Sequence, residues 1–214
     1  MTLAYRIIPV TPFEQNCSLL WCTETMKGAL VDPGGDIEHL LATSAKLGVA
    51  IEKLLLTHGH IDHAGGTGEL AATLNIPIEG PQREEAFWLD QLAEQSRMFG
   101  FPPVRDFTPT RWLNDGDTVT VGNETLQVLF TPGHTPGHVC FFHAATKLAI
   151  VGDVLFAGSI GRTDFPRGDH QTLIDAIHNK LWPLGNDVSF IPGHGPMSTF
   201  GEERQHNPFV GDFA

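Results

Sequence analysis

Short apolar runs and longer amphipathic stretches alternate along the chain. Tyr5 to Val10, Asn16 to Cys22 and Gly28 to Val31 read as three early strands, the first two separated by Thr11-Pro12-Phe13-Glu14 and the third closed by Asp32-Pro33-Gly34-Gly35. Asp36 is placed to cap a helix through Leu47, with Ile37, Leu40, Leu41, Ala45 and Leu47 on one face and Gly48 as its stop. Ile51 to Leu56 has the length and composition of a buried strand. Gly66 to Leu74 predicts a helix, Ile76 to Ile78 a short strand, and Gln82 to Arg97 a second helix inserted over the core. Phe99 to Pro109 reads as a loop bordering the site, placed with that helix to act as a lid. A second strand group follows at Val119 to Val121, Thr125 to Phe130, Val139 to Phe142 and Ala149 to Val151, interrupted by polar loops at Thr131 to His138 and Gly152 to Asp169. A helix from Asp169 to about Trp182 and a strand at Val188 to Ile191 complete the pattern. Two strand groups, each followed by helices, predict two sheets face to face with helices outside and polar loops of both sheets meeting at one edge.

With 214 residues, 41% of them hydrophobic, the chain can bury a full core in one domain, and one domain over 1–214 is the expectation. A formal charge of -12 leaves no basic stripe to neutralise phosphates, which argues against nucleic-acid and anionic-membrane partners. Met1-Thr2-Leu3-Ala4-Tyr5-Arg6 is not a secretory leader, and nowhere do enough apolar residues run together to span a bilayer, so the expectation is a soluble cytoplasmic protein. Cys17, Cys22 and Cys140 are odd in number and form no CxxC, which suits buried apolar positions rather than disulfides or a thiolate metal site.

The chemistry concentrates where the buried strand ends, at Thr57-His58-Gly59-His60-Ile61-Asp62-His63. His58 and His60 are two apart, so in an extended segment both point one way and can grip one ion. Asp62 and His63 are adjacent and diverge if the chain stays extended, which suits a second ion. The same event, an apolar strand running into His or Asp among glycines, recurs at Thr131-Pro132-Gly133-His134, at Gly152-Asp153 and at Pro192-Gly193-His194. Such imidazoles and carboxylates suit zinc, iron or manganese rather than magnesium or calcium. A water shared by two such ions would ionise near neutral pH, which makes hydrolysis the default chemistry. A closed structural metal site is usually four-coordinate and cysteine-rich, unlike this set.

In combination and in order these motifs resemble the metallo-β-lactamase superfamily over almost the whole chain. That resemblance implies an α/β fold, the four-layered αββα sandwich. It implies His58, His60 and His134 as ligands of a first metal, Asp62, His63 and His194 as ligands of a second, Asp153 as the bridging carboxylate, and Asp62 with Asp153 as the catalytic carboxylates. Within the superfamily the chain is similar to the short bacterial type of glyoxalase II, the hydroxyacylglutathione hydrolases without a C-terminal helical domain. True β-lactamases show other ligand patterns and carry export signals. The likeness implies two divalent ions, zinc foremost, and a glutathione thioester substrate. Arg162 falls where that family has a glutathione-binding lysine and is either a contact to the glycine carboxylate or a loop ion pair with Asp164. Gly161-Arg162-Thr163-Asp164-Phe165 also resembles the persulfide dioxygenases, in which His58, His134 and Asp153 would hold a single iron. His138, in a second Thr-Pro-Gly-His, suits a supporting role. Asp32 either orients a ligand or caps its turn. His39, His143, His170, His178 and His206 read as surface residues.

Overall fold

The computed structural model describes residues 2–213. Strands β1 (Leu3–Val10), β2 (Gln15–Cys22), β3 (Lys27–Val31), β4 (Ala50–Leu55) and β5 (Ile78–Glu79) form one sheet in that order. The first three pair antiparallel, while β3, β4 and β5 run parallel because helices make the crossovers. Those helices are α1 (Ile37–Leu47), the single turn α2 (Ile61–Ala64) and α3 (Thr67–Leu74). After α4 (Ala86–Leu89) and α5 (Leu92–Phe99), the second sheet is built from β6 (Thr118–Val121), β7 (Glu124–Phe130), β8 (Val139–His143) and β9 (Leu148–Gly152). A two-stranded ribbon, β10 (Leu155–Phe156) and β11 (Ser159–Ile160), lies apart from it; α6 (His170–Ala176) then leads to β12 (Ser189–Pro192), β13 (Ser198–Thr199) and α7 (Phe200–His206). The second sheet has the order β13-β12-β9-β8-β7-β6.

Three apolar clusters define the layers. Leu20, Val31, Leu55, Val128, Phe141 and Ile191 join the inner faces of the two sheets. Leu30, Leu40, Leu54 and Leu70 seal α1 and α3 against the first sheet, and Leu173, Ile177, Phe190 and Phe200 seal α6 and α7 against the second. The result is the expected αββα sandwich. In β7 the inward Leu126 and Val128 alternate with exposed Thr125 and Gln127, as a strand with one covered face requires. β2, β8 and β9 are buried nearly throughout, which explains their continuous apolar runs.

Several local expectations need correction. Asp36 does not cap α1 with its side chain; its Oδ2 accepts the Thr11 N–H at 2.7 Å and so ties the β1–β2 turn to the helix start. Gly48 does close α1, at φ 69. The helix expected over Gln82 to Arg97 is a 3-10 turn followed by α4 and α5, broken at Asp90-Gln91. The break lets both segments face the histidine loop, where Gln95 Nε2 donates to the carbonyls of Gly59 and Trp88 and Gln95 Oε1 accepts the Ile61 N–H. This segment is therefore bonded to the loop rather than free to act as a lid. His143 is not a surface residue; it is buried, 3.0 Å from Glu124 Oε2 and 2.7 Å from Thr146 Oγ1. His39, His170, His178 and His206 are exposed, and all three cysteines are buried and unpaired. No helix among the described residues is long and apolar enough to cross a membrane.

Candidate metal centre

Loops from both sheets meet at one edge of the sandwich. β4 delivers Thr57 to His60 beyond its last residue, β7 and β8 flank the loop carrying His134, β9 ends at Gly152 beside Asp153, and β12 ends at Pro192 ahead of His194. A register shift between Ile191 and Pro192 sets Pro192 against Gly152, so the last two polar residues leave adjacent strand ends together. Gly193 is required there: a Cβ on it would lie 2.0 Å from Asp153 Oδ1 and 2.6 Å from His63 Cε1.

His58, His60 and His134 form one donor group. His60 Nδ1 stands 3.1 Å from His58 Nε2 and 3.0 Å from His134 Nε2. The far nitrogens of two of them are committed, His58 Nδ1 to Thr57 Oγ1 at 3.0 Å and His134 Nδ1 to the Arg162 carbonyl at 2.7 Å. Thr57 Oγ1 itself donates to Asp32 Oδ2 at 2.6 Å, so it accepts from His58 and leaves Nε2 of His58 without a proton. Burial pushes His58 well below its ordinary range and His60 down to about 3, and it lowers His134 despite Asp153 nearby. Neutral imidazoles with lone pairs turned toward one another repel unless a cation lies between them. Two imidazole nitrogens sharing one zinc-sized ion at about 2.1 Å stand roughly 3.4 Å apart, close to the spacing found.

The second group, Asp62, His63 and His194, has a different character. Residues 61–64 are a helical turn and not extended, because the chain wraps at once into α2 with the Ala64 N–H bonded to the His60 carbonyl. Asp62 and His63 consequently do not diverge: Asp62 Oδ2 lies 3.7 Å from His63 Nε2 and 3.0 Å from His194 Nε2. His63 Nδ1 donates to Asp32 Oδ2 at 2.9 Å and His194 Nδ1 to the Phe13 carbonyl at 3.2 Å, so both present Nε2 inward. Burial alone would lower His63, but Asp153, Asp62 and Asp32 hold it well above its usual range. Burial likewise opposes charge on Asp62 and Asp153, yet His63 outweighs it and keeps both carboxyls below the usual carboxylate range.

Asp153 stands between the two groups. Its Oδ1 is 3.3 Å from His63 Nε2, and its Oδ2 is 3.6 Å from His134 Nε2 and 3.8 Å from His194 Nε2. His63 Nε2 and Asp153 Oδ1 are buried without a hydrogen-bond partner, as expected of atoms reserved for a cation. The donors therefore fit two divalent ions. The seven residues singled out in the sequence come together here.

The supporting residues were less visible. His138 accepts the Asp153 N–H on Nε2 at 3.2 Å and stacks on His58, so it holds the segment that carries Asp153 in place. Asp32 takes the Thr57 N–H and hydroxyl as well as His63, which assigns it to orientation. Glu85, buried, accepts the Gly59 N–H at 2.9 Å and the Gly137 N–H at 2.7 Å and so ties two ligand loops together. Asn16 Nδ2 donates to the carbonyls of Pro192 and Gly195 on either side of His194. Trp88 and Phe165 wall the site, with ring centroids 4.7 Å and 4.9 Å from His60. Arg162 is exposed, bonded to Asp164 at 3.0 and 2.8 Å, with its guanidinium over Phe165. The loop after α5 packs Phe101 on Phe13, the residue whose carbonyl accepts from His194.

Residues 10–194 match the model of the metallo-beta-lactamase superfamily. Hydroxyacylglutathione hydrolase GloC of Haemophilus influenzae is 45% identical over 206 residues, 96% of this chain and 97% of that one. The crystal structure of the B3 metallo-beta-lactamase BLEG-1 superposes with a TM-score of 0.89 at 36% identity, covering 97% of this chain and 99% of the other. That of TTHA1623 in a di-iron-bound form gives 0.87 at 33%, covering 96% and 100%. ETHE1 from Myxococcus xanthus gives 0.81 at 24%, covering 98% and 85%, a likeness of fold alone.

Proposed function

Because the chain belongs to the metallo-β-lactamase superfamily, we propose that it is a cytoplasmic metal-dependent thioesterase that hydrolyses S-D-lactoylglutathione to D-lactate and glutathione. The observation that carries this reading is Asp153, set between a neutral three-histidine group and a second group of one carboxylate and two histidines. The near full-length likeness to a hydroxyacylglutathione hydrolase supports the substrate class.

His58, His60 and His134 would hold one divalent ion, Asp62, His63 and His194 the other, and Asp153 both. Zinc suits the set best, and iron or manganese is accepted by the same donors. Bound ions supply acidified water and an electrophilic pull on a carbonyl. Hydrolysis joins the oxygen of water to the acyl carbon and breaks its bond to sulfur; one proton of the water ends on the departing thiol. Asp62 is kept ionised by His63 and His194 and is placed to accept a proton at Oδ2. Asp153 fixes the spacing between the two donor groups. Trp88 and Phe165 exclude bulk water on the His60 side. The site takes a small molecule, and the reading involves neither nucleic acid nor a membrane surface.

The test is elemental analysis of metal per chain on the preparation assayed, under anaerobic conditions, for S-D-lactoylglutathione hydrolysis. Two metals and oxygen-independent turnover are expected. One iron with oxygen uptake on glutathione persulfide would replace this reading with a dioxygenase. Faster turnover of a β-lactam than of the thioester would replace it with a lactamase.

A further inference from the structure

Loop 161–169 crosses the mouth of the metal centre and carries two arginines in different states. Its place is fixed at one end by the Arg162 carbonyl, which holds His134 Nδ1, and in the middle by Phe165, packed on His60, His134 and Trp88. Arg162 spends its guanidinium on Asp164 in a two-point pair. Arg167 has no carboxylate within ion-pair distance among the described residues. Its guanidinium lies 4.1 Å over the Phe87 ring; Phe87 abuts Trp88 at 5.4 Å, and Trp88 abuts His60 at 4.7 Å. Among the described residues Arg6, Lys46 and Arg83 also lack an acidic partner, and none of them lies over a ring in contact with the site's aromatic wall.

Arg167 is thus a cation on the outer side of the site's aromatic wall, with no acid of its own among the described residues, in a protein of net charge -12. Stacking on a ring face leaves the in-plane N–H groups of a guanidinium free for a carboxylate fork. The backbone adds to this. Arg167 occupies φ 65 in a tight turn closed by the Gly168 N–H on the Phe165 carbonyl, a left-handed position normally left to glycine. An L-residue holds such a conformation against its preference, and here that residue is an arginine lying on the site's outer aromatic wall.

We propose that Arg167 is the specificity-determining residue of this site: it binds the carboxylate of a peptide-like thiol, so that the enzyme prefers acyl thioesters of carboxylate-bearing thiols to those of uncharged thiols. The proposal rests on the thioesterase reading and names the feature of the substrate that is selected.

The experiment compares S-D-lactoylglutathione with the uncharged S-D-lactoyl-N-acetylcysteamine on the metal-loaded enzyme and its R167Q, R167K and R162Q variants. Losing one charge-assisted fork predicts a KM for the glutathione thioester raised about tenfold by R167Q, with kcat within about twofold and the KM for the uncharged thioester within about twofold. R167K recovers part of the loss, and R162Q raises the KM less than R167Q does. If R167Q shifts both KM values equally or neither, or if R162Q alone shows the carboxylate-selective rise, Arg167 does not select the substrate. If the wild-type enzyme turns over neither thioester, the thioesterase reading falls and the proposal with it.

Discussion

Asp32 accepts the Nδ1 proton of His63 at 2.9 Å, so one buried carboxylate decides which nitrogen of His63 faces the metal centre. The same carboxylate takes the N–H and hydroxyl of Thr57, and the hydroxyl in turn receives His58. One residue thereby orients a histidine in each donor group. D32A should weaken metal binding about 10- to 100-fold, the usual cost of removing an outer carboxylate from a ligating histidine. Competition with a chromogenic chelator measures it. Wild-type affinity in D32A would leave Asp32 with a turn-capping role only.

Gly193 tests the position of Asp153 without altering any donor. A Cβ at 193 collides with Asp153 Oδ1, and the neighbouring strand ends cannot yield because the Gly193 N–H and carbonyl are bonded to Gly152 and Asn16. G193A should keep the fold and lose most turnover, at least about 100-fold, with metal content reduced toward one ion. Normal turnover in G193A would mean that the spacing set by Asp153 is not needed.

Glu85 holds the loops of His58–His60 and His134–His138 together, and burial pushes its carboxyl up to about 7. E85A strips two buried N–H groups of their acceptor and should destabilise the protein by about 2 to 4 kcal/mol. The pH dependence has a definite sign. The folded protein keeps a proton that the unfolded chain releases near 4.5, so stability from the neutral form is complete below about 4.5 and is lost as pH rises toward 7. Wild type should therefore lose stability relative to E85Q across that window in denaturant titrations. A constant difference would place the Glu85 titration at its ordinary value.

Removing metal should lower stability as well as activity. Ions that bind the folded site and not the unfolded chain add about 2.7 kcal/mol at a hundredfold excess over Kd. Dialysis against a chelator should lower Tm, and zinc should restore it in a concentration-dependent way. A melting curve indifferent to both treatments would remove the metal centre from the account of the fold.

The ligands were legible because each follows an apolar strand and sits among glycines, a pattern that local sequence displays. Strands such as Val139–His143 and the stop at Gly48 were legible for the same reason. What escaped depends on partners far away in the chain. Asp36 looks like a helix cap from its neighbours, but its acceptor is used by Thr11, 25 residues earlier. His143 looks like a strand-end surface residue until β7 brings Glu124 beside it. Glu85, Gln95 and Asn16 bond to backbone groups of other loops, and no side-chain pattern marks an amide that needs an acceptor. The turn at Ile61–Ala64 was hidden by its length, since four residues carry no periodicity.

His194 donates to the carbonyl of Phe13, 181 positions earlier in the chain. During vectorial synthesis the N-terminal part of a chain emerges and begins to order first. His58, His60 and His134 all precede Asp153 and His194 in the chain, so the residues of the two donor groups emerge at different moments. A nascent chain stalled short of Asp153 already holds one complete set of imidazoles and half of the other. The order of synthesis therefore completes the three-histidine group in sequence ahead of the second one, whose last member, His194, can join Phe13 only when nearly the whole chain has emerged.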